Sequence, residues 1–216
     1  LTGSVDDGLF DIVSGTGVVT FKSSPDFETP LGGTGDDSND YVIEVTATDG
    51  GSLADTQTIT ISVTNVNEAP VIANGATDTA SVAENTNAAT TVIDVAHSDV
   101  DSGDTIAYTL TGSVDDGLFD IVSGTGVVTF KSSPDFETPL GGTGDDSNDY
   151  VIEVTATDGG SLTDTQTITI SVTGVNEAPV ITGGATDTAS VAENTNAATT
   201  VIDVAHSDVD SGDTIA

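Results

Sequence analysis

The chain has 216 residues, with 36 acidic side chains against two basic ones, Lys22 and Lys131, a formal charge of −34 and no cysteine. That balance excludes nucleic acid as a partner, because affinity there depends on Lys and Arg neutralising phosphates, and it excludes disulfide staples and thiol chemistry. There is no run of 18 apolar residues, so no membrane insertion is expected of this segment.

The sequence repeats with a period of 109: Leu1 to Ala107 align with Leu110 to Ala216 at 103 of 107 positions, without a gap. Repetition this close predicts a stretch of a tandem array. In the complete period, Asn67 to Val175, the predicted strands begin with a split pair, Val71-Ile72 and Thr79 to Ala83. Thr90 to Ala96 and Thr105 to Thr111 follow, then Phe119 to Val122 and Val127 to Lys131, which flank a Ser-Gly-Thr-Gly turn. Tyr150 to Thr157 and Thr165 to Thr173 complete about seven strands. In the last, Ile168, Ile170 and Val172 alternate with Thr167, Thr169 and Ser171, which predicts one buried and one solvated face. Helical periodicity is absent, and the ordered β-branched runs argue against the disorder that low aromatic content and high acidity would otherwise suggest.

About 109 residues, seven strands and alternating faces predict an all-β chain of tandem Greek-key, seven-stranded β-sandwiches of immunoglobulin-like size. One sandwich per period places the later strands of a first domain in residues 1–66, a complete domain in 67–175 and the opening strands of a third in 176–216. Leu1 is the counterpart of Leu110 and Ala216 of Ala107, so both ends fall inside the strand predicted at Thr105 to Thr111. An interrupted strand leaves backbone groups without partners, so the termini are expected to be cuts in something longer. The tail also carries the strands that the head lacks, which predicts head-to-tail association between copies.

Carboxylates supply the chemistry. In the complete period they gather at predicted strand ends: Glu84, Asp99 and Asp101 (Asp-Val-Asp), Asp135 and Glu137 (Pro-Asp-Phe-Glu), Asp158 (Ala-Thr-Asp-Gly), and Asn176-Glu177 in the linker. Asp-x-Asp and Asp-x-Glu spacing lets two loop carboxylates converge on one ion. Hard oxygen donors on flexible loops favour Ca²⁺, which accepts six to eight of them, over Zn²⁺, which favours His or Cys. The Gly142 to Asp149 loop reads instead as solvated surface, and His97 and His206 as packing or surface residues. Phe119, Phe130, Phe136 and Tyr150 read as core or edge packing, and Asp116-Gly117 and Asp158-Gly159 as turn formers. No nucleophile with a base stands out, and no enzymatic role is expected.

Seven motifs then stand in one order: Ala-Ser-Val-Ala-Glu-Asn (80 to 85), Ser-Asp-Val-Asp-Ser-Gly-Asp (98 to 104), Gly-Leu-Phe-Asp-Ile (117 to 121), Gly-Thr-Gly-Val-Val-Thr (124 to 129), Pro-Asp-Phe-Glu (134 to 137), Val-Thr-Ala-Thr-Asp-Gly (154 to 159) and Val-Asn-Glu-Ala-Pro-Val (175 to 180). This order resembles cadherin-like tandem repeats, most of all those of very large bacterial surface adhesins, including calcium-dependent RTX-type adhesins. The resemblance implies Ca²⁺ at the junctions between successive domains. It assigns Glu84, Asp135, Glu137, Asn176, Glu177, Asp208 and Asp210 to one junction, and Asp26, Glu28, Asn67, Glu68, Asp99, Asp101 and Asp158 to the junction before it. The junction with Asp26 and Glu28 then lacks a strand-A glutamate, and the junction with Glu84 an Ala-Thr-Asp aspartate. Family linkers often begin with Asp, where this chain has Asn65 and Gly174, so one or two ions per junction are expected rather than three. Three of the four differences between repeats (Asn65/Gly174, Ala73/Thr182 and Asn74/Gly183) cluster here, so junction geometry or affinity is expected to alternate.

About 17 negative charges per period repel one another, so the metal-free array is expected to be flexible and Ca²⁺ to stiffen it. The implied role is a calcium-rigidified extender, a stalk or filament shaft of a large extracellular adhesin on a bacterial surface, as in a biofilm, with neighbouring repeats as its partners. Two other readings stay open: domains that adhere directly, to copies of themselves or to a glycan, and a subunit of a self-assembling filament or sheath with lateral contacts.

Overall fold

The structure is a computed structural model and describes residues 1, 3–32, 39–139, 141 and 148–212. Most of the loop read as solvated surface, residues 142–147, lies outside the described residues. The chain forms two compact units, Leu1–Ala69 with Asp99–Asp104, and Pro70–Ser98 with Thr105–Ala216.

The first unit holds β1 (Phe10–Ile12) paired antiparallel with β2 (Val19–Phe21), and β3 (Asp40–Thr48) paired antiparallel with β4 (Ala54–Ser62). Its core is small, built on Phe10, Tyr41 and Ile43. Among the described residues β4 has no partner on its other edge.

The second unit holds β5 (Val71–Ile72), β6 (Thr77–Ala83), β7 (Thr91–Asp94), β8 (His97–Ser98), β9 (Ala107–Leu110), β10 (Phe119–Ile121), β11 (Val127–Phe130), β12 (Asp149–Thr157), β13 (Thr163–Thr173), β14 (Val180–Ile181) and β15 (His206–Ser207). One sheet has the order β6-β13-β12-β9 and another β10-β11-β7, with β5-β8 and β14-β15 as short pairs. The first strand of the fold lies parallel to the last, β6 on β13, while β12 pairs antiparallel with β13 and with β9. All-β sandwich architecture is therefore observed as the alternating pattern requires. The described helix is confined to two single 3₁₀ turns, Asp7–Leu9 and Asp116–Leu118.

Alternation decides the core. Tyr150, Ile152, Val154 and Ala156 on β12 and Gln166, Ile168, Ile170 and Val172 on β13 all face inward. Opposite them stand Phe119, Val128 and Phe130 from the three-stranded sheet. Phe119 and Phe130 pack with ring centroids 4.3 Å apart, and Tyr150 meets Phe130 edge-on at 5.6 Å. Burying each such side chain contributes about 1.5–3 kcal/mol, and β-branched residues suit the pleated surface.

The first strand splits where expected, and the structure supplies the cause. Asn74 and Gly75 adopt φ of 69° and 81°, so the chain leaves β5, which pairs with β8, and enters β6, which pairs with β13. β13 secures this switch: Asp164 Oδ2 accepts the Ile72 N–H at 2.7 Å, and the buried Gln166 donates Nε2 to the carbonyls of Ala73 and Gly75, both at 2.8 Å. The strand expected from Thr90 to Ala96 is shorter, Thr91–Asp94, and its register on β11 shifts between Val128 and Thr129. Gly126 is required nearby, since it has φ +77° and a Cβ there would stand 2.4 Å from the Val95 carbonyl.

Candidate metal centre

The end of β6 builds the first site. The Glu84 N–H donates to the Thr173 carbonyl at 2.9 Å and the Asn85 N–H to the Pro134 carbonyl at 2.8 Å, so β6, the end of β13 and the 134–137 loop meet. The Glu84 carboxylate, 3% exposed, ties them: Oε2 accepts the Phe136 N–H at 2.8 Å and Oε1 the Val175 N–H at 2.6 Å. One oxygen from each of Glu84, Glu137 and Glu177 lies within 4.8 Å of the others.

Electrostatics differ within this trio. The Val175 N–H first, and then the Phe136 N–H, hold Glu84 below the usual glutamate range despite burial. Glu137 is pushed up by lost hydration and by the charges of Glu84 and Glu177. Glu177 is pushed up by lost hydration and by Glu84, Asp210 and Asp135, although Asn85 Nδ2 donates to its Oε1 at 2.5 Å. The Glu177 N–H donates to Asp210 Oδ2 at 2.7 Å, and the Asp210 N–H to Asp208 Oδ1 at 3.1 Å.

The first unit carries the matching site in Glu28, Glu68 and Asp101, whose oxygens also lie within 4.8 Å. The Glu68 N–H donates to Asp101 Oδ2 at 2.8 Å and the Asp101 N–H to Asp99 Oδ1 at 2.9 Å. Asn65 Nδ2 adds a bond to Asp101 Oδ1 at 2.7 Å. The Asn65 amide and the Glu68 N–H hold Asp101 below the usual aspartate range. Glu68 is raised by lost hydration and by Glu28, Asp101 and Asp26.

Other candidates also hold nearby groups in place. Asp26 and Asp135 accept the N–H of Thr29 and Thr138, at 2.8 and 2.7 Å, and stand outside the three-carboxylate groups. Asp158 is buried and Oδ1 accepts the Leu162 N–H at 2.8 Å, closing its turn. Asn67 and Asn176 donate to the carbonyls of Glu68 and Glu177. His97 is exposed, with Nδ1 2.6 Å from the Tyr108 hydroxyl.

Sequence reasoning missed Asp115, Asp116 and Asn85. Asp115 Oδ2 accepts the Val151 N–H at 2.8 Å and Asp116 Oδ1 the Glu153 N–H at 3.1 Å, so carboxylates take the place of a neighbouring strand along β12 where β9 stops. Val-Asp-Asp-Gly carried only a turn signal. Asn85 was hidden inside Ala-Glu-Asn, where the glutamate drew attention.

The donor set fits a hard divalent cation. Two ligand oxygens at Ca²⁺ distances of about 2.4 Å stand at most about 4.8 Å apart, the spread found within each trio. Glu177 Oε2 is buried without a hydrogen-bond partner, an arrangement that costs free energy unless a cation or water meets it. Neither lysine compensates these sites, since Lys22 and Lys131 bond the Gly8 and Gly117 carbonyls and lie 3.9 and 3.8 Å from Asp11 and Asp120.

Residues 78–173 match the family described as the cadherin domain. This stretch is similar to cadherin domains. Cadherin domains are extracellular adhesion modules, not enzymes, and typically bind Ca²⁺. The Protocadherin-like wing polarity protein stan of Drosophila melanogaster is 34% identical over 216 residues, 95% of this chain and 6% of stan. Human Protocadherin Fat 1 is 28% identical over 211 residues, 94% of this chain and 4% of Fat 1. The chain thus spans only a few per cent of these curated relatives, which are animal proteins. Among solved structures, human CDH23 EC21-23 matches with a TM-score of 0.64 at 21% identity, over 94% of this chain and 62% of that one. Protocadherin Gamma B7 extracellular cadherin domains 1-4 match with a TM-score of 0.58 at 24% identity, over 90% and 44%. At these identities the likeness establishes the cadherin fold. No helix among the described residues is long and apolar enough to cross a membrane.

Proposed function

We propose that the chain is part of a calcium-rigidified extender, the stalk of a large extracellular adhesin, in which residues 1–66, 67–175 and 176–216 belong to three successive cadherin domains. The observation that carries this reading is the Glu84, Glu137 and Glu177 group with the buried, unpartnered Glu177 Oε2. Glu84, in the turn after β6, is joined by Glu137 from the loop after β11 and by Glu177 from the linker after β13. Fixing the three together fixes the linker on its domain.

A bound Ca²⁺ would supply positive charge and six to eight coordination positions to these oxygens. The chain's own part is to hold Glu84 ionised with two backbone N–H groups and to bring Glu137 and Glu177 beside it against their mutual repulsion. Extracellular modules bind Ca²⁺ with dissociation constants of about 0.1–1 mM, so stiffness would follow external calcium. The near-identity of successive repeats and the charge of −34 support the RTX-type bacterial adhesin setting, where length comes from copying one module.

An exposed segment and an edge strand support a second reading, in which copies associate head to tail. Thr186 to Ala192 repeats the sequence of β6 but forms no strand here and is exposed, while β4, the counterpart of β13, has no partner on its other edge among the described residues.

The test is thermal unfolding of the chain with Ca²⁺ and with EGTA. A midpoint raised by Ca²⁺ in the millimolar range supports the reading; the same midpoint in both conditions sinks it.

A further inference from the structure

We infer that the residue opening each linker, Asn65 in one repeat and Gly174 in the next, sets how tightly that linker's carboxylates hold a divalent cation, so that neighbouring sites differ in affinity. The inference rests on the calcium reading above and adds a positioning residue to it. Asn65 Nδ2 donates to Asp101 Oδ1 at 2.7 Å while the Glu68 N–H donates to Oδ2 at 2.8 Å, so both oxygens of a carboxylate only 7% exposed are tethered. Each carboxylate oxygen has two lone pairs, so one hydrogen bond to each orients the group and leaves capacity for a cation.

In the next repeat the Glu177 N–H holds Asp210 Oδ2 at 2.7 Å, but Gly174 has no side chain to reach the other oxygen. Asp210 stands outside the Glu84, Glu137 and Glu177 group and Asp101 inside the group with Glu28 and Glu68, although Glu84 has no counterpart in the first unit. Val66 to Ile72 and Val175 to Ile181 are identical, so the opening residue is the first difference between the two linkers. Loss of a hydrogen bond that orients a metal-binding side chain lowers metal affinity about 10–100-fold.

The reciprocal swap is sterically reasonable. Gly174 has no positive φ, and a Cβ there would lie 3.2 Å from Phe136 Cδ1, on a ring that is 39% exposed and free to give.

The experiment titrates the metal-free 216-residue chain with Ca²⁺ by calorimetry, comparing the parent with Asn65→Gly and Gly174→Asn. Urea unfolding in EGTA verifies that each variant is folded, and NMR follows solvent exchange of the Asn65 side-chain amide. The expected results are an Asn65 amide protected in the metal-free parent, one class of sites weakened about tenfold in Asn65→Gly, and the other class tightened in Gly174→Asn. Should Asn65→Gly fail to fold, Gly174→Asn decides alone. Unchanged constants in both variants overturn this inference while leaving the calcium reading intact, and so does tighter binding by Asn65→Gly, which would mean that the amide competes with the cation. A parent that releases no heat with Ca²⁺ overturns both.

Discussion

Glu84 accepts the backbone N–H of Val175 at 2.6 Å across 91 residues of sequence, and its second oxygen takes the N–H of Phe136. A side chain offered to a cation is therefore also the acceptor that fastens the linker to its own domain. Glu84→Ala leaves two N–H groups without an acceptor and is expected to cost about 2–4 kcal/mol. Glu193, its counterpart in the tail, is exposed, so Glu193→Ala should cost nothing measurable. Urea unfolding in EGTA compares them; equal losses in the two variants would show that Glu84 acts through charge alone.

The pH dependence of the metal-free protein follows from shifts of opposite sign. Glu84 and Asp101 are lowered, so their contribution is present above the unfolded values and disappears as pH falls through the folded ones. Glu68, Glu137 and Glu177 are raised, so theirs is full below the unfolded value and disappears as pH rises through the folded ones. The melting temperature of the metal-stripped chain should therefore rise on mild acidification from neutral pH, pass through a maximum and fall in stronger acid. A steady fall from neutral pH downward contradicts this assignment.

Two identical sequence contexts give an internal control for Gln166. Gln166 is 2% exposed and satisfies two carbonyls, whereas Gln57, at the same place in the period, is exposed. Gln166→Ala leaves buried carbonyls unpaired and should cost about 2–3 kcal/mol, with Gln57→Ala close to neutral. Chemical denaturation of both variants checks the pair, and a comparable cost at both positions would mean that position 57 is buried in solution.

Association between copies should use the register already present within the second unit, where Thr77 to Ala83 lies parallel to Thr167 to Thr173. The trans equivalent sets Thr186 to Ala192 of one copy beside Thr58 to Thr64 of another. Multi-angle light scattering should show mass rising with concentration. The double substitution Ala189→Pro and Ser190→Pro removes two adjacent ladder donors and should return the chain to monomer. A monomer at every concentration in the parent chain excludes the pairing.

Much of the fold was legible because β-strands declare themselves by a period of two. The alternation on β13 indicated its buried face, and the split first strand was expected at Val71-Ile72 and Thr79 to Ala83. The gathering of Glu84, Glu137 and Glu177 was legible only through the order of motifs, since these residues are separated by 53 and 40 positions and no local rule joins them. Asp26 and Asp135 carried the same signal as Glu28 and Glu137, yet the structure spends their carboxylates on the turns they begin. Spacing cannot distinguish a carboxylate that faces a cation from one that caps its own loop.

The sequence by itself determined the repeat, the all-β class, the inward faces of the long strands and the concentration of negative charge, because each is a property of composition or of short-range periodicity. Tertiary structure alone decided which oxygens meet, which are consumed by backbone N–H groups and which are buried without a partner. The physical reason is that hydrogen bonding and desolvation depend on what the rest of the chain brings to within about 3 Å.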